Sequence, residues 1–161
     1  MACDVFIQIS GVEGESADEQ HRGWIEVMQY DFNVRQKVSR TASSAGGGSA
    51  ERADFSEFGF TKLIDKTSFL LALACAAGTH FDTIVVELCR AGGEKVRFMR
   101  YSFNNCMITA CTTSSDGDFP EDDVSFAYGT VEWCYTQQSR AGGWAAGNVA
   151  CAWSLEKNCR A

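Results

Sequence analysis

The chain has 161 residues, 45% of them hydrophobic, and a formal net charge of −7 from 21 acidic and 14 basic residues. This length suits one globular domain with a sizeable core, so we expect a single domain over residues 1–161. The acidic balance and the scattered basic residues argue against nucleic acid or an anionic membrane as a partner. The longest apolar run, residues 69–77, is too short to cross a bilayer, so no membrane insertion is expected.

The first ten residues lack the charged and apolar regions of a secretory signal, so we expect synthesis and folding in the cytoplasm. Eight cysteines are spread along the chain without the paired Cys-x-x-Cys spacing of a metal or redox site. In a reducing compartment such cysteines are typically free, partly buried thiols.

Alternating apolar residues predict a mainly β protein with about eight strands. The first strand covers residues 5–9. The alternation changes phase between Val27 and Tyr30, and again at Gly129 within residues 124–135. Since a phase change indicates a β-bulge, these two long bulged strands predict a sheet that curls toward a barrel.

The middle and the end of the chain continue the β pattern. Strands are predicted over residues 84–88 and 96–98, joined by a two-residue hairpin turn at Gly92–Gly93. Further strands are predicted at residues 106–110 and 153–155.

One helix of about ten residues is predicted between Thr67 and Gly78. Thr67 and Ser68 are suitable N-cap residues, and Gly78 occupies the position of a C-terminal glycine. The middle of this helix has no polar side, so we expect it to pack on the barrel and to be covered by neighbouring chains as well.

The sequence RTASSAGGGSAER, residues 40–52, cannot pack a core. It lacks the Lys-Ser/Thr ending of a phosphate-binding loop, and a strand-like segment with Phe55, Phe58 and Phe60 follows it. A domain linker is disfavoured because the forty preceding residues contain just two predicted strands. A long flexible loop at about 39–53 is therefore expected, of a length that usually signals function.

Candidate catalytic and metal-binding residues have simpler structural interpretations. Cys75 and His80 could form a nucleophile and base, but Cys75 lies within the apolar helix and His80 is placed to close its C-terminus. The spacing of Ser16 and Glu19 predicts a capping box and one helical turn, with His21 bonded to nearby backbone. A cation site at Asp18, Glu19 and His21 is the alternative there.

The acidic residues between 116 and 123 lack the ligand order of a calcium loop and are interpreted as a solvated loop. We therefore predict no catalytic, metal-binding or cofactor-binding residue, no cofactor and no enzymatic activity.

Six segments together resemble the Hcp (haemolysin co-regulated protein) family of bacterial type VI secretion. They are GESADEQH from residue 14, FTKLIDK at 60–66, ACAAGTHF at 74–81, CRAGGE at 89–94, VSFAYGTVEWCYTQQ at 124–138 and the terminal AWSLEKNCRA. The likeness covers essentially the whole chain, and FTKLIDK and GES-x-D-x-x-H are its most specific parts.

This resemblance implies a two-sheet curled β barrel with one short α-helix packed on its side, similar to tail-tube proteins. It implies hexameric rings that stack into a tube inside a contractile sheath beneath a spike, with the baseplate of the secretion system as a further partner, and that leave the cell without a signal peptide. It also implies small effector proteins as cargo in the ring lumen.

The resemblance assigns two sets of contact residues. The loop would reach the next ring through Arg40, Ser43, Ser44, Gly46, Gly47, Gly48, Glu51 and Arg52. The helix would contact neighbouring subunits through Phe69, Leu70 and Leu73.

Three alternatives stay open: a phage-type tail-tube protein, a Cys-dependent enzyme using Cys75 and His80, and a lipocalin-type ligand-binding barrel. The last is disfavoured because large inward side chains are expected to fill the interior. These are Phe32, Phe58, Phe98, Phe126 and Trp133. Eight cysteines exceed what the family leads us to expect; Cys89 and Cys134 fall on the more polar strand phase and, if exposed, could crosslink rings.

Overall fold

The computed structural model describes residues 2–38, 52–92, 95–138 and 145–161. Twelve strands and one helix lie within these ranges. They are β1 (Cys3–Ile9), β2 (Ile25–Val27), β3 (Gln29–Asp31), β4 (Val34–Arg35), β5 (Asp54–Phe55), β6 (Phe58–Leu63), α1 (Ser68–Ala77), β7 (His80–Arg90), β8 (Arg97–Ser114), β9 (Glu121–Ala127), β10 (Thr130–Gln138), β11 (Ala145–Ser154) and β12 (Cys159–Arg160). The predicted mainly β fold with one short helix is confirmed; the strand number exceeds eight because five of these strands are only two or three residues long.

Ten strands form one antiparallel sheet, and β4 and β5 form a second, two-stranded sheet. The central strand is β8. Its first half pairs with β7 on one edge and β10 on the other, and its second half pairs with β9. Beyond these neighbours, β9 pairs with β6, β10 pairs with β11, and β7 pairs with β1.

The large sheet curls back on itself through the segment from Ile25 to Asp31. Its first half, β2, pairs with β1, whereas its second half, β3, pairs with β6. Between them, the Met28 N–H donates a 2.9 Å hydrogen bond to the Thr61 carbonyl. The phase change predicted between Val27 and Tyr30 is therefore the point where the chain passes from one side of the curl to the other.

The second predicted phase change is also a bend, but the single bulged strand predicted over residues 124–135 was wrong, because the chain is divided there into β9 and β10. β9 ends at Ala127 and β10 begins at Thr130, and both run antiparallel to β8. The Gly129 N–H donates to the carbonyls of Asn104 and Asn105 at 2.9 and 3.1 Å. Asn105 has a φ of 55°, so β8 bends at the same level. The prediction of two separate strands over residues 96–98 and 106–110 was wrong because this residue bends β8 without ending it.

The connection between β7 and β8 is longer than expected. The predicted hairpin is present, but it spans residues 91–96, and the Arg90 N–H donates to the Val96 carbonyl at 3.1 Å. A two-residue turn at Gly92–Gly93 is therefore wrong in length; Gly93 itself lies outside the described residues.

Aromatic side chains fill the interior of the curl. Phe58, Phe103 and Phe126 are fully buried, with ring centroids 5.1 to 5.3 Å apart. The other inward residues predicted, Phe32, Phe98 and Trp133, are partly buried against this cluster. A packed aromatic interior is what the sequence predicted in place of a ligand cavity.

Helix α1 begins after Thr67, which occupies the N-cap position, and ends before Gly78, both as predicted. Gly78 has φ 62° and ψ 37°, a left-handed conformation that glycine adopts without steric cost, and the Thr79 N–H donates to the Ala74 carbonyl. His80 begins β7, so the prediction that it closes the helix was wrong. Thr67 makes no capping bond from its side chain; instead, Asp65 Oδ1 accepts from the Thr67 N–H at 2.8 Å.

Candidate subunit interface

One face of helix α1 is left uncovered by the protomer. Leu71 and Ala74 are buried against the barrel, whereas the side chains of Phe69, Leu70 and Leu73 are 77%, 50% and 66% exposed. We call these three residues the helix face. Contiguous exposed apolar groups of this size commonly mark a protein–protein contact. The structure thus places Phe69, Leu70 and Leu73 together on one exposed surface.

A buried lysine fixes the start of the helix to the barrel. Lys62 on β6 is fully buried, and its Nζ lies 2.9 Å from Asp65 Oδ1, 3.0 Å from Asp122 Oδ2 and 2.9 Å from Ser68 Oγ. Ser68 Oγ in turn donates to Asp122. Lys62 belongs to β6, Asp65 to the connection that follows, Ser68 to the start of α1, and Asp122 to β9. The Lys62 cluster, as we call these four residues, therefore ties helix and sheet together.

Asp122 stays ionised within this cluster. Burial works to raise its pKa, but hydrogen bonds from Ser68 and Thr113 and the hydrogen bond and charge of Lys62 outweigh burial and lower it. The Thr113 hydroxyl donates to the second carboxylate oxygen at 2.6 Å. The cluster is consequently a satisfied network of charge-assisted hydrogen bonds, which positions the helix face rigidly. The sequence interpretation of Asp122 as part of a solvated acidic loop was wrong, because it lies buried on β9.

The GESADEQH segment has a second cluster, which corrects the predicted capping box. Residues 13–18 form no helix; Ser16 Oγ accepts from the Asp18 N–H at 3.2 Å and donates to Glu26 at 3.1 Å. His21 is 2% exposed. Its ring nitrogens lie 3.0 Å from Asp18 Oδ1 and 2.9 Å from Glu87 Oε2. The predicted bond from His21 to nearby backbone was therefore wrong, because its partners are carboxylates.

The ends of the glycine-rich loop are anchored on the strands beside them. β4 and β5 flank the loop and pair with each other. The Phe55 ring stacks on Trp153 with centroids 6.1 Å apart, and Arg52 Nη2 donates to the Leu155 carbonyl at 2.9 Å. Of the eight predicted loop contacts, Arg52 is described. The others lie outside the described residues, namely Arg40, Ser43, Ser44, Gly46, Gly47, Gly48 and Glu51.

All eight cysteines are free thiols. Cys89 is buried, and burial, followed by the charge of Glu87, raises its pKa to about 11. The condition set for ring crosslinking, exposure, is not met by Cys89, whose Sγ lies 3.9 Å from His21 Nε2. Cys134 is half-buried. Cys75 is half-buried as well, and His80 is exposed.

Two observations apply to residues 2–38, 52–92, 95–138 and 145–161. No group of three or more His, Cys, Asp or Glu residues there is arranged to hold a metal ion. None of the helices described is long and apolar enough to cross a membrane.

A curled β barrel whose described helix, α1, leaves an apolar face uncovered is typical of proteins that assemble into larger structures. The family model described as "Type VI secretion system effector, Hcp" matches residues 6–135, and the chain therefore belongs to the Hcp family.

Known relatives match this chain over its full length. Protein hcp1 of Pseudomonas aeruginosa is 30% identical over 164 residues, covering 100% of both chains. A solved type six secretion system protein is 31% identical with a TM-score of 0.92, covering 99% of this chain and 100% of its own. Hcp1 from Salmonella typhimurium shares the fold, with a TM-score of 0.80 at 23% identity and complete coverage of both chains.

The chain is thus a type VI secretion tube protein. Hcp proteins are secreted structural components of that system, and the family forms stacked rings.

Proposed function

We propose that six copies of this chain close into a ring in which the helix face of each protomer is covered by a neighbour, and that such rings stack into a tube. The observation that carries this proposal is the exposure of Phe69, Leu70 and Leu73, between 50% and 77%, on a helix held in place by buried charges. A face that meets a different surface on the next copy makes a heterologous contact, and such contacts close into a ring when the rotation between copies permits.

The loop at about 39–53 is proposed as the contact between successive rings. Its support is its length, its glycines and the charges of Arg40, Glu51 and Arg52. The anchoring of its base by Arg52 and Phe55 also supports this role, because an anchored base limits the directions in which a loop can extend. Charged groups at such a contact set register and partner choice more than raw affinity.

The remaining partners are proposed on the basis of membership of the family. We propose that the protein is made in the cytoplasm, assembles with the sheath, baseplate and spike of the secretion system, and is exported without a signal peptide. Small effector proteins would travel in the ring lumen. The role needs no catalysis, cofactor, nucleic acid or membrane insertion.

The test is the assembly state of Leu73→Glu beside the matched Leu73→Met. Both substitutions are at an exposed site, so both variants should keep the circular dichroism spectrum of the unmodified protein. We expect six-fold rings in negative-stain images and a hexamer mass in light scattering for the protein itself and for Leu73→Met. Leu73→Glu should be a folded monomer, because a charge in the contact must be desolvated. Unchanged rings in Leu73→Glu would show that the helix face is not the contact.

A phage-type tail-tube protein is the second candidate. The observation that favours it is a shared fold with the 6-fold symmetrised baseplate of the anti-feeding prophage, at a TM-score of 0.51 and 5% identity over 81% of this chain and 91% of that one. The genes flanking the coding sequence distinguish the two contexts.

A further inference from the structure

His21 is enclosed on every side by groups that hold its ring in one orientation. The Phe6 ring stacks on it with centroids 4.2 Å apart and an interplanar angle of 2°, and Trp24 meets it edge-on at 4.9 Å. Its two nitrogens face Asp18 and Glu87 at 3.0 and 2.9 Å. The ring therefore bridges the segment 13–24 and strand β7.

The two bonds together require a particular protonation state. A neutral imidazole has one N–H and one lone pair, whereas an ionised carboxylate offers acceptors alone. Both carboxylates are ionised: Lys95 foremost, with His21, lowers the pKa of Asp18 to about 2. Burial works to raise the pKa of Glu87, but His21, Arg97 and Arg100 outweigh burial and lower it. Only a ring with two N–H groups can donate to both.

We propose that His21 is held as an imidazolium in the folded protein and acts as a pH-sensitive clasp that fastens the segment 13–24 to strand β7. The clasp is closed while the ring keeps both protons. When one proton leaves, a lone pair faces an ionised carboxylate, so one hydrogen bond is replaced by repulsion. The segment 13–24 then loses its buried attachment and opens locally at higher pH.

The charges around the ring come from each element packed against it. Asp18 lies on its own segment, Glu87 and Cys89 lie on β7, and Lys95 lies in the connection to β8. Glu87 Oε1 is also 2.9 Å from Arg97 Nη1 and 3.5 Å from Arg100 Nη1 on β8.

On β1, Asp4 lies 3.0 Å from Lys95 Nζ, and Lys95 Nζ is 4.9 Å from the centroid of the Phe6 ring. Three carboxylates thus face three cations besides the imidazolium, and Cys89 Sγ lies 3.9 Å from Nε2. The raised pKa of Cys89, about 11, keeps that thiol neutral. Outside the ring these charges balance one another, and the charged groups in direct contact with the ring nitrogens are the two carboxylates, which offset the cost of burying the imidazolium.

The first test reads the ring directly in the assembled or free protein by nitrogen-15 NMR of the imidazole groups. We expect two protonated nitrogens on His21 at neutral pH. A single protonated nitrogen on His21 at neutral pH would overturn the proposal.

The second test measures the release of the segment by hydrogen exchange, with His80→Gln as the matched control for His21→Gln. In the unmodified protein and in His80→Gln, protection of residues 13–24 should fall about tenfold or more as pH rises through the ring titration, after correction for intrinsic exchange. In His21→Gln the protection should be low and flat with pH. Equal pH dependence in both variants would overturn the clasp even if the ring is cationic.

Asp18→Asn keeps a neutral hydrogen-bond acceptor beside the ring. It therefore tests the clasp even if His21→Gln fails to fold. It should shift the fall in protection to lower pH, since the charge that favours the second proton is gone. An unshifted fall would show that Asp18 does not hold the proton on the ring.

Discussion

Lys62 and Asp122 form an ion pair of 3.0 Å between β6 and β9, with side chains 0% and 5% exposed. They are 60 residues apart in the chain, and Ser68 at the start of α1 contacts both. This relationship joins the helix that carries the exposed face to two strands of the barrel. Loss of this ion pair should first lower the stability of the protein and, as a consequence, weaken its assembly.

Lys62→Met should strongly destabilise the protein, because removing one member of a buried pair leaves Asp122 charged and unpaired. We expect a loss of about 3 to 5 kcal/mol in the free energy of unfolding, measured by denaturant titration. Lys66→Met is the matched control: its side chain is 46% exposed and lies 3.7 Å from an 81% exposed Glu13. That variant should stay within about 0.5 kcal/mol of the unmodified protein. Similar losses in both variants would contradict the assigned role of the buried pair.

Acid should destabilise the protein through Asp18. Its pKa is lowered in the folded state from 3.8 to about 2, mainly by the hydrogen bond from Lys95. A carboxylate with a lowered folded-state pKa adds stability above its unfolded value, and that stability is lost as pH falls toward the folded value. The loss should therefore occur between about pH 4 and pH 2.

Unfolding free energies across this pH range, compared for Asp18→Asn and for Asp82→Asn at an exposed site on β7, check this prediction. Asp18→Asn should show a shallower acid dependence than the unmodified protein, whereas Asp82→Asn should follow it. A steep dependence retained in Asp18→Asn would assign the acid sensitivity to other carboxylates.

Phe55→Ala should loosen the base of the glycine-rich loop. The Phe55 ring contacts Trp153 and Trp133 with centroids 6.1 and 6.3 Å apart, and such aromatic contacts contribute about 0.5 to 1.5 kcal/mol each beyond buried area. Tryptophan emission should shift to longer wavelength as both indoles gain contact with water. Phe119→Ala, at a 62% exposed site, is the control and should leave the emission unchanged. An unshifted spectrum in Phe55→Ala would mean that the β4–β5 pair does not cover these indoles.

Thiol reactivity should divide the cysteines by burial. Cys3, Cys151 and Cys159 are exposed, whereas Cys89 and Cys106 are buried. Burial raises the pKa of Cys106 to about 12, and that of Cys89 is about 11, so their reactive thiolate forms are scarce at neutral pH.

Alkylation of the folded protein followed by peptide mass spectrometry should label the exposed group within minutes and the buried pair only after denaturation. If Cys89 were labelled as fast as Cys151, the burial of Cys89 on β7 would be contradicted.

Local sequence patterns were sufficient to predict which segments form strands or a helix and where several of these elements end. Period-2 alternation identified β1, and the phase changes at Val27–Tyr30 and at Gly129 marked the two places where the sheet bends. Gly78 marked the end of α1 because a left-handed residue there favours glycine. The all-apolar helix also indicated an uncovered surface, although periodicity alone did not show that Phe69, Leu70 and Leu73 face outward.

Tertiary structure decided the partners of the buried charges. Glu87 reaches His21 across 66 residues, and Asp122 reaches Lys62 across 60, because the pairing of β1 with β7 and of β6 with β9 brings them side by side. Local spacing suggested a capping box at Ser16, which was wrong, and an N-cap at Thr67, which does occupy that position but makes no capping bond from its side chain. The physical reason is that backbone periodicity acts over a few residues, whereas a buried charge is stabilised by whichever opposite charge the sheet register places within hydrogen-bond distance.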